Sequence, residues 1–402
     1  MREHVAPRRI ESELLHRHSM AGALEAVGIV KLMASTAHTS RFRSALEQLV
    51  PYLPGRPIEL VQREHGLTGP IIKLASNEGQ YGPFPAALEA IERAAREGNR
   101  YPDGGCYSVR AALAERHGLD IDQVVVGNGA DAVLNYLALA MLEPGDEIAF
   151  CWPSFPVYPI NAAKMGAVAA RAPLAGSSYD LVALGAAITP RTKLAFVTNP
   201  NNPTGGKVSR DALARFLDGL PEHVLPVIDE AYFEYVSDPD YPDALHEHLL
   251  EGRRVVVLRT FSKIYGLAGL RVGWGAMPLD VAAALGKVKN AFDVSQPAQD
   301  AARASIGEDA EVARRAAETH QGRERLVAGL VALGLEPLPA VANFVSVPVG
   351  DGAGLASELE RLGLIVRPLG GFGDPASIRI SVGLPDEIDT ALRLLADVLA
   401  PA

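Results

Sequence analysis

The sequence predicts an α/β chain with a large domain, its sheet sandwiched by helices, and a smaller α+β domain packed on it. Three observations carry that expectation. Short apolar runs alternate with helical stretches through the middle of the chain, several of these runs end in polar loops, and the pattern changes after about residue 295.

Residues 1–40 read as an appendage that is polar and histidine-bearing at first and weakly apolar later. His16, His18 and His38 read as surface groups, because no acidic or cysteine partner stands at ligand spacing. "RFRSALEQLV" predicts a helix that stops at "PYLPGRP", where prolines and a glycine break the periodicity. "IIKLASNEGQYGPFP" predicts a short strand running into a turn, and "PAALEAIERAAREG" a helix with its apolar residues at helical spacing. "QVVVGNG" is a strand and glycine turn before the helix "ADAVLNYLALAML". "DEIAFCWP", "KLAFVTNPNNPTG", "HVLPVIDEAY" and "RRVVVLRTFSK" are further strands that end in polar loops.

Beyond about residue 295, "DAEVARRAAETHQGRERLVAGLVALG" predicts one or two amphipathic helices. "NFVSVPV", "GLIVRPL" and "SIRISVG" are short strands separated by another helix, and "DEIDTALRLLADVLA" closes the chain as a helix. The expected division is an extension over 1–40, an arm and small-domain segment over 41–75, a large domain over 76–295 and a small domain over 296–402.

Composition narrows the function classes. The 402 residues are 48% hydrophobic and 21% charged, an ordinary globular balance. The formal charge of -10 comes with no long basic run, which argues against a nucleic-acid surface but leaves room for a local anion pocket. No apolar stretch reaches the roughly 18 residues of a membrane span, and the first residues lack the pattern of a signal peptide. Cys106 and Cys151 form neither a zinc-ligand pattern nor a disulfide framework. A cytoplasmic protein without a metal centre is the expectation.

Three polar groups stand just past the ends of apolar strands: Asn202 in "NPNNPTG", Asp229 with Tyr232 in "DEAY", and Lys263 in "FSK". They are about one strand-helix-strand unit apart, so a parallel sheet would bring them to one edge. Each alone also has a plain structural reading, as a turn residue, a backbone cap or a solvated loop lysine. Together they match the needs of an aldehyde cofactor such as pyridoxal phosphate. A lysine near an apolar wall becomes a nucleophilic amine. The pyridine nitrogen wants a carboxylate (Asp229), the ring oxygen wants donors (Tyr232, Asn202), and the phosphate wants a hydroxyl and an arginine (Ser262, Arg271). The "GNGAD" turn adds the amides of Ala130 and Asp131 at a helix start, and Phe155 could cover the ring face.

"SNEGQYGP", "NRYPDGG", "NPNNPTG", "DEAY", "RTFSKIYGLAGLRVG" and "IRISVG" together resemble the fold-type I pyridoxal-phosphate aminotransferases, and more narrowly their histidinol-phosphate aminotransferase subgroup. The resemblance covers roughly residue 41 to the C-terminus. It implies an aspartate-aminotransferase-like large domain with a mainly parallel mixed sheet, and a homodimer with shared sites. It also implies Lys263 as the Schiff-base lysine and proton carrier, Asp229 at the pyridine nitrogen, and Tyr232 and Asn202 at the ring hydroxyl. Ser262, Arg271 and the Ala130–Asp131 turn would hold the phosphate with Thr260 nearby, and Tyr101 would reach the neighbouring subunit's cofactor phosphate.

Arg379 is similar to the residue that clamps a substrate carboxylate. In the subgroup, Arg379 and Arg367 would meet a substrate phosphate, helped by Tyr52, with Asn77 in the turn lining the pocket. The implied reaction is ping-pong transamination of L-histidinol phosphate with 2-oxoglutarate. Aromatic amino-acid transamination, a phosphoamino-acid decarboxylase and a non-enzymatic cofactor-binding protein are the alternatives. Three departures stand out: "NEGQYG", with Gly79 and Gln80, in place of "NENPxG"; Ala132 in place of glutamate; and Phe155 in place of a stacking tyrosine.

Overall fold

A computed structural model describes residues 42–400. It divides into two units, residues 1–49 and 50–402. The expected extension over 1–40, with its three histidines, lies outside the described residues. In the first unit, the helix expected over "RFRSALEQLV" is only a short 3-10 helix, Ser44–Gln48. The prolines at 51, 54 and 57 leave the following segment extended, and a helix missed by the sequence reading, Ile58–His65, begins directly after Pro57. It buries only Val61, which explains its weak apolar signal.

The second unit is organised around a seven-stranded sheet. In chain order the strands are β1 (Ile72–Lys73), β2 (Val124–Gly127), β3 (Glu147–Cys151), β4 (Val168–Ala172), β5 (Leu174–Ala175), β6 (Ser178–Tyr179), β7 (Thr192–Thr198), β8 (Leu225–Asp229), β9 (Val256–Thr260), β10 (Gly273–Ala276), β11 (Phe344–Pro348), β12 (Leu364–Ile365), β13 (Arg367–Pro368) and β14 (Ser377–Ser381). The large sheet runs β2-β10-β9-β8-β7-β3-β4, with β10 antiparallel to both neighbours and the remaining pairings parallel. The mixed, mainly parallel sheet is therefore present as expected.

Both faces of this sheet are covered, which is why its strands read as nearly continuous apolar runs. In β7, Leu194 and Phe196 face one apolar layer and Ala195 and Val197 the other; Val256 and Leu258 of β9 alternate with Val257 in the same way. Helices Pro85–Ala95, Tyr107–His117 and Gln296–Ser305 supply one layer, and helices Ala130–Met141 and Leu279–Val288 the other.

The later part of the chain builds a small antiparallel sheet, β11-β14-β13, packed with helices Asp309–Ala332, Gly352–Arg361 and Pro385–Leu399 around their own apolar core. The single strand expected in "GLIVRPL" divides at Val366. Its first half pairs in parallel with β1 and its second half with β14. Among the described residues, no helix is long and apolar enough to cross a membrane.

Candidate active site

Strands β7, β8 and β9 are neighbours in the sheet, so the loops leaving their C-terminal ends open onto one crevice. A single cavity there is lined by Asn202, Asp229, Tyr232, Thr260, Ser262, Lys263 and Arg271, by Ala130, Asp131 and Phe155, and by Tyr52, Asn77, Arg367 and Arg379. The structure thus brings together every site residue expected from sequence except Tyr101. That residue is 83% exposed, and its ring stacks on Phe292 with centroids 4.7 Å apart.

Asp229 ends β8 and is buried. Its Oδ1 accepts from the Ala231 amide at 3.2 Å and its Oδ2 from the Tyr158 hydroxyl at 2.7 Å. Burial pushes its carboxyl up to about 6, while the Tyr158 hydrogen bond pulls it down. Lys263 Nζ donates to the Ser76 carbonyl at 3.4 Å and lies 5.5 Å from the centre of the Tyr232 ring. Burial, then the nearby Arg379 guanidinium, brings this amine down to about 8, against the pull of Glu78 and Asp131. An amine held there is neutral often enough near neutral pH to act as a nucleophile and base.

One end of the cavity is built for an anion. The first amides of helix Ala130–Met141 have no partners within the helix and sit at its positive end. Arg271, itself in a left-handed conformation at φ 57°, reaches Ser262 Oγ at 3.5 Å, and the Ser262 amide donates to Thr260 Oγ1 at 3.1 Å. Gly129 makes room for that arginine: at φ 77°, a Cβ there would stand 2.4 Å from Arg271 Nη2.

The other end carries two arginines. Arg379 is buried, donates to Asn202 Oδ1 and, at 2.9 Å, to the Ala75 carbonyl, and leaves its Nε without a protein partner. Its guanidinium lies 5.2 Å from each of the Phe344 and Phe372 rings, and burial lowers it to about 10. Arg367 donates to the Leu53 carbonyl at 2.6 Å, with its guanidinium 5.7 Å from the Tyr52 ring and 5.3 Å from the Phe372 ring. Asn77 adopts φ 53°, held by its amide on Ser381 Oγ, and its side chain donates to the Tyr232 hydroxyl at 2.9 Å.

A family model described as Aminotransferase class I and II matches residues 69–395. The chain belongs to the class I and II aminotransferase family. It is 42% identical over 366 residues to a histidinol-phosphate aminotransferase of Moorella thermoacetica, covering 90% of this chain and 94% of that one. It is 44% identical over 353 residues to an aromatic amino acid aminotransferase of Thermobifida fusca, covering 88% and 95%. Among solved structures, it resembles the histidinol-phosphate aminotransferase of Sinorhizobium meliloti in complex with pyridoxal-5'-phosphate. The TM-score is 0.81 at 28% identity, over 91% of this chain and 99% of that one.

Two of the departures have a local account in this aminotransferase. Gly79 lies against the backbone of the lysine loop, where a Cβ would stand 2.5 Å from the Lys263 carbonyl oxygen. The absence of a side chain lets the turn close on Lys263, and Gln80 beside it accepts a hydrogen bond from Thr319 at 3.2 Å. Ala132 packs into the apolar layer under its helix. The sequence reading missed Ser76, Glu78, Thr198 and Phe372 in the cavity lining, and Tyr158 beneath it. Thr198 was detectable as the polar last residue of an apolar strand; Phe372, in a short turn, gave no signal.

Proposed function

We propose that this aminotransferase binds pyridoxal 5'-phosphate through Lys263 and transfers the amino group of L-histidinol phosphate to 2-oxoglutarate in a ping-pong sequence. The observation that carries the reading is one cavity with a lysine and a buried carboxylate in its floor, an anion cradle at one end and two arginines at the other. The donor set fits the cofactor: an amine for the aldehyde, a carboxylate for the ring nitrogen, and amides, a hydroxyl and a guanidinium for the phosphate. When bound, the cofactor supplies an aldehyde that takes up the amine and a protonated ring that delocalises the electrons left on the substrate carbon.

The chain's own groups do the rest. Lys263 Nζ takes the proton from the carbon bearing the amine, a role its lowered proton affinity suits. Asp229 holds the proton on the ring nitrogen, Tyr232 and Asn202 address the ring hydroxyl, and Phe155 covers the ring face. Ser262, Arg271 and the Ala130 and Asp131 amides hold the phosphate, with Thr260 fixing the Ser262 backbone. Arg379 and Arg367, with Tyr52 and Asn77, receive the substrate's anionic end; both arginines are already desolvated, which strengthens a charge-assisted pair. Tyr101, exposed and outside its own cavity, is assigned to the second subunit's site in a homodimer.

Arg271→Gln tests the cradle. It removes the guanidinium from the phosphate end and leaves Gly129 at the φ of 77° that any added side chain would strain. Titration of cofactor-free protein should show affinity for pyridoxal phosphate lower by about tenfold or more.

The 44% identity to an aromatic amino acid aminotransferase supports a second reading, with phenylalanine or tyrosine as donor. A panel of histidinol phosphate, histidinol, phenylalanine and tyrosine against 2-oxoglutarate separates the two. The preferred reading expects kcat/KM for histidinol phosphate to exceed that for histidinol by about 10²-fold, the effect of losing one well-placed anionic contact. A faster reaction with phenylalanine, and no advantage from the phosphate, would move the assignment to the aromatic class.

A further inference from the structure

Below the cavity floor a row of hydroxyls leads away from Asp229. Tyr158, in the helix Val157–Met165, is 1% exposed, with its ring stacked on Phe196 at 4.5 Å and edge-on to Phe155 at 5.7 Å. Its hydroxyl donates to Asp229 Oδ2 at 2.7 Å and lies 2.8 Å from Thr198 Oγ1. Thr198 Oγ1 is 3.1 Å from the Tyr179 hydroxyl, which is 2.7 Å from Ser154 Oγ, and Ser154 donates to Asn201 Oδ1 at 3.0 Å.

Each hydroxyl has one proton to give. The Tyr158 proton is committed to the carboxylate, so the 2.8 Å contact requires Thr198 to donate to Tyr158. Ser154 is committed to Asn201, which leaves the Tyr179 proton to serve Ser154 and Thr198. The two protons nearest the carboxylate, on Tyr158 and Thr198, therefore both point toward it. Hydrogen bonds aligned in this way polarise one another and favour the charged form of the acceptor at their end.

We infer that Tyr158 is a positioning residue which, backed by Thr198, keeps the buried Asp229 ionised and aimed at the cofactor's ring nitrogen. The inference rests on the proposed reading of Asp229 as the ring-nitrogen partner. Five titratable groups bear on that carboxylate: Tyr158 from its helix, Tyr179 from β6, Asp131 from the helix Ala130–Met141, and Lys263 and Tyr232 from the loops after β9 and β8. Tyr158 and Lys263 favour the charged form and Asp131 opposes it, while burial is the largest influence of all. Among the described residues, Tyr158 is the one side chain that donates a hydrogen bond to this carboxylate, so losing it removes that support.

The test follows protonation of Asp229 in the full-length cofactor-free protein by infrared difference titration, with Asp229→Asn to assign the carboxyl band. Tyr158→Phe should move the midpoint upward by about one to two pH units, the effect of one hydrogen bond to a charged group. Thr198→Val, which keeps Tyr158 but cuts its support, should move it the same way by less. In the loaded enzyme, the acid limb of the kcat/KM profile should follow the same order.

A purely structural tyrosine would lower the Tm and leave the midpoint in place, and that result in both variants overturns the inference. Should Tyr158→Phe fail to fold, Thr198→Val decides by the same criterion. If wild-type protein takes up no pyridoxal phosphate, the reading of the site fails, yet the infrared midpoints still decide whether Tyr158 governs Asp229.

Discussion

Lys263→Met is expected to lower turnover of histidinol phosphate by at least about 10⁴-fold, because one substitution removes both the proposed nucleophilic amine and the proposed proton carrier. Methionine keeps the volume of the side chain, so the cavity floor stays filled. Steady-state assays with 2-oxoglutarate measure the loss, and the absorbance band of the lysine-linked cofactor disappears with it.

The same variant tests the setting of the lysine. In the cofactor-free wild type the folded state holds the Lys263 proton less tightly than the unfolded chain, with about 8 standing against the usual 10.5. The unfolded state therefore binds more protons between those values, and this group's contribution to stability rises with pH through that window. Below about pH 8 the full cost of a buried ammonium is present. Lys263→Met should accordingly be the more stable cofactor-free protein at pH 7, and its advantage should shrink toward pH 10.5. Denaturant unfolding at the two pH values checks the sign.

Asp229→Ala is the second large effect. It leaves Lys263 in place and removes the charge proposed to hold the ring-nitrogen proton, so cofactor attachment is expected to survive while electron withdrawal weakens. The expected fall in kcat is about 10²–10³-fold, the scale of losing one preorganised electrostatic partner. The cost to stability is smaller than for most buried carboxylates. Burial already disfavours the charge, although the substitution leaves the Tyr158 hydroxyl and the Ala231 amide without their acceptor. Loss of the absorbance band together with activity would instead assign Asp229 to holding the cofactor.

The large sheet was legible because both its faces are covered. "KLAFVT", "VLPVID" and "VVVLRT" are largely apolar, and the polar residue that closes each, Thr198, Asp229 and Thr260, marks the edge where the crevice opens. Strand β10 was not singled out, because "GWGA" offers two glycines and little apolar bulk; its pairing with β2 and β9 is set by its neighbours. The split of "GLIVRPL" between two sheets is likewise invisible locally, since nothing in the run names its partners.

At the site, residues on loops after successive strands could be foreseen to meet, and they do. Tyr158 could not: its hydroxyl finds Asp229 only because its helix lies across the sheet, and the intervening stretch gives no spacing rule for that contact. At Gly79, one of the two departures in "NEGQYG", the fold uses the missing side chain to seat the lysine loop.

Lys263 is the proposed covalent anchor of pyridoxal phosphate. Borohydride reduction of the reconstituted protein, followed by proteolysis and peptide mass spectrometry, reads this directly. A single phosphopyridoxyl group is expected on the peptide containing "TFSKIYG", at Lys263. Labelling of another lysine with Lys263 unmodified, or no labelling under conditions that load a known aminotransferase, would contradict it.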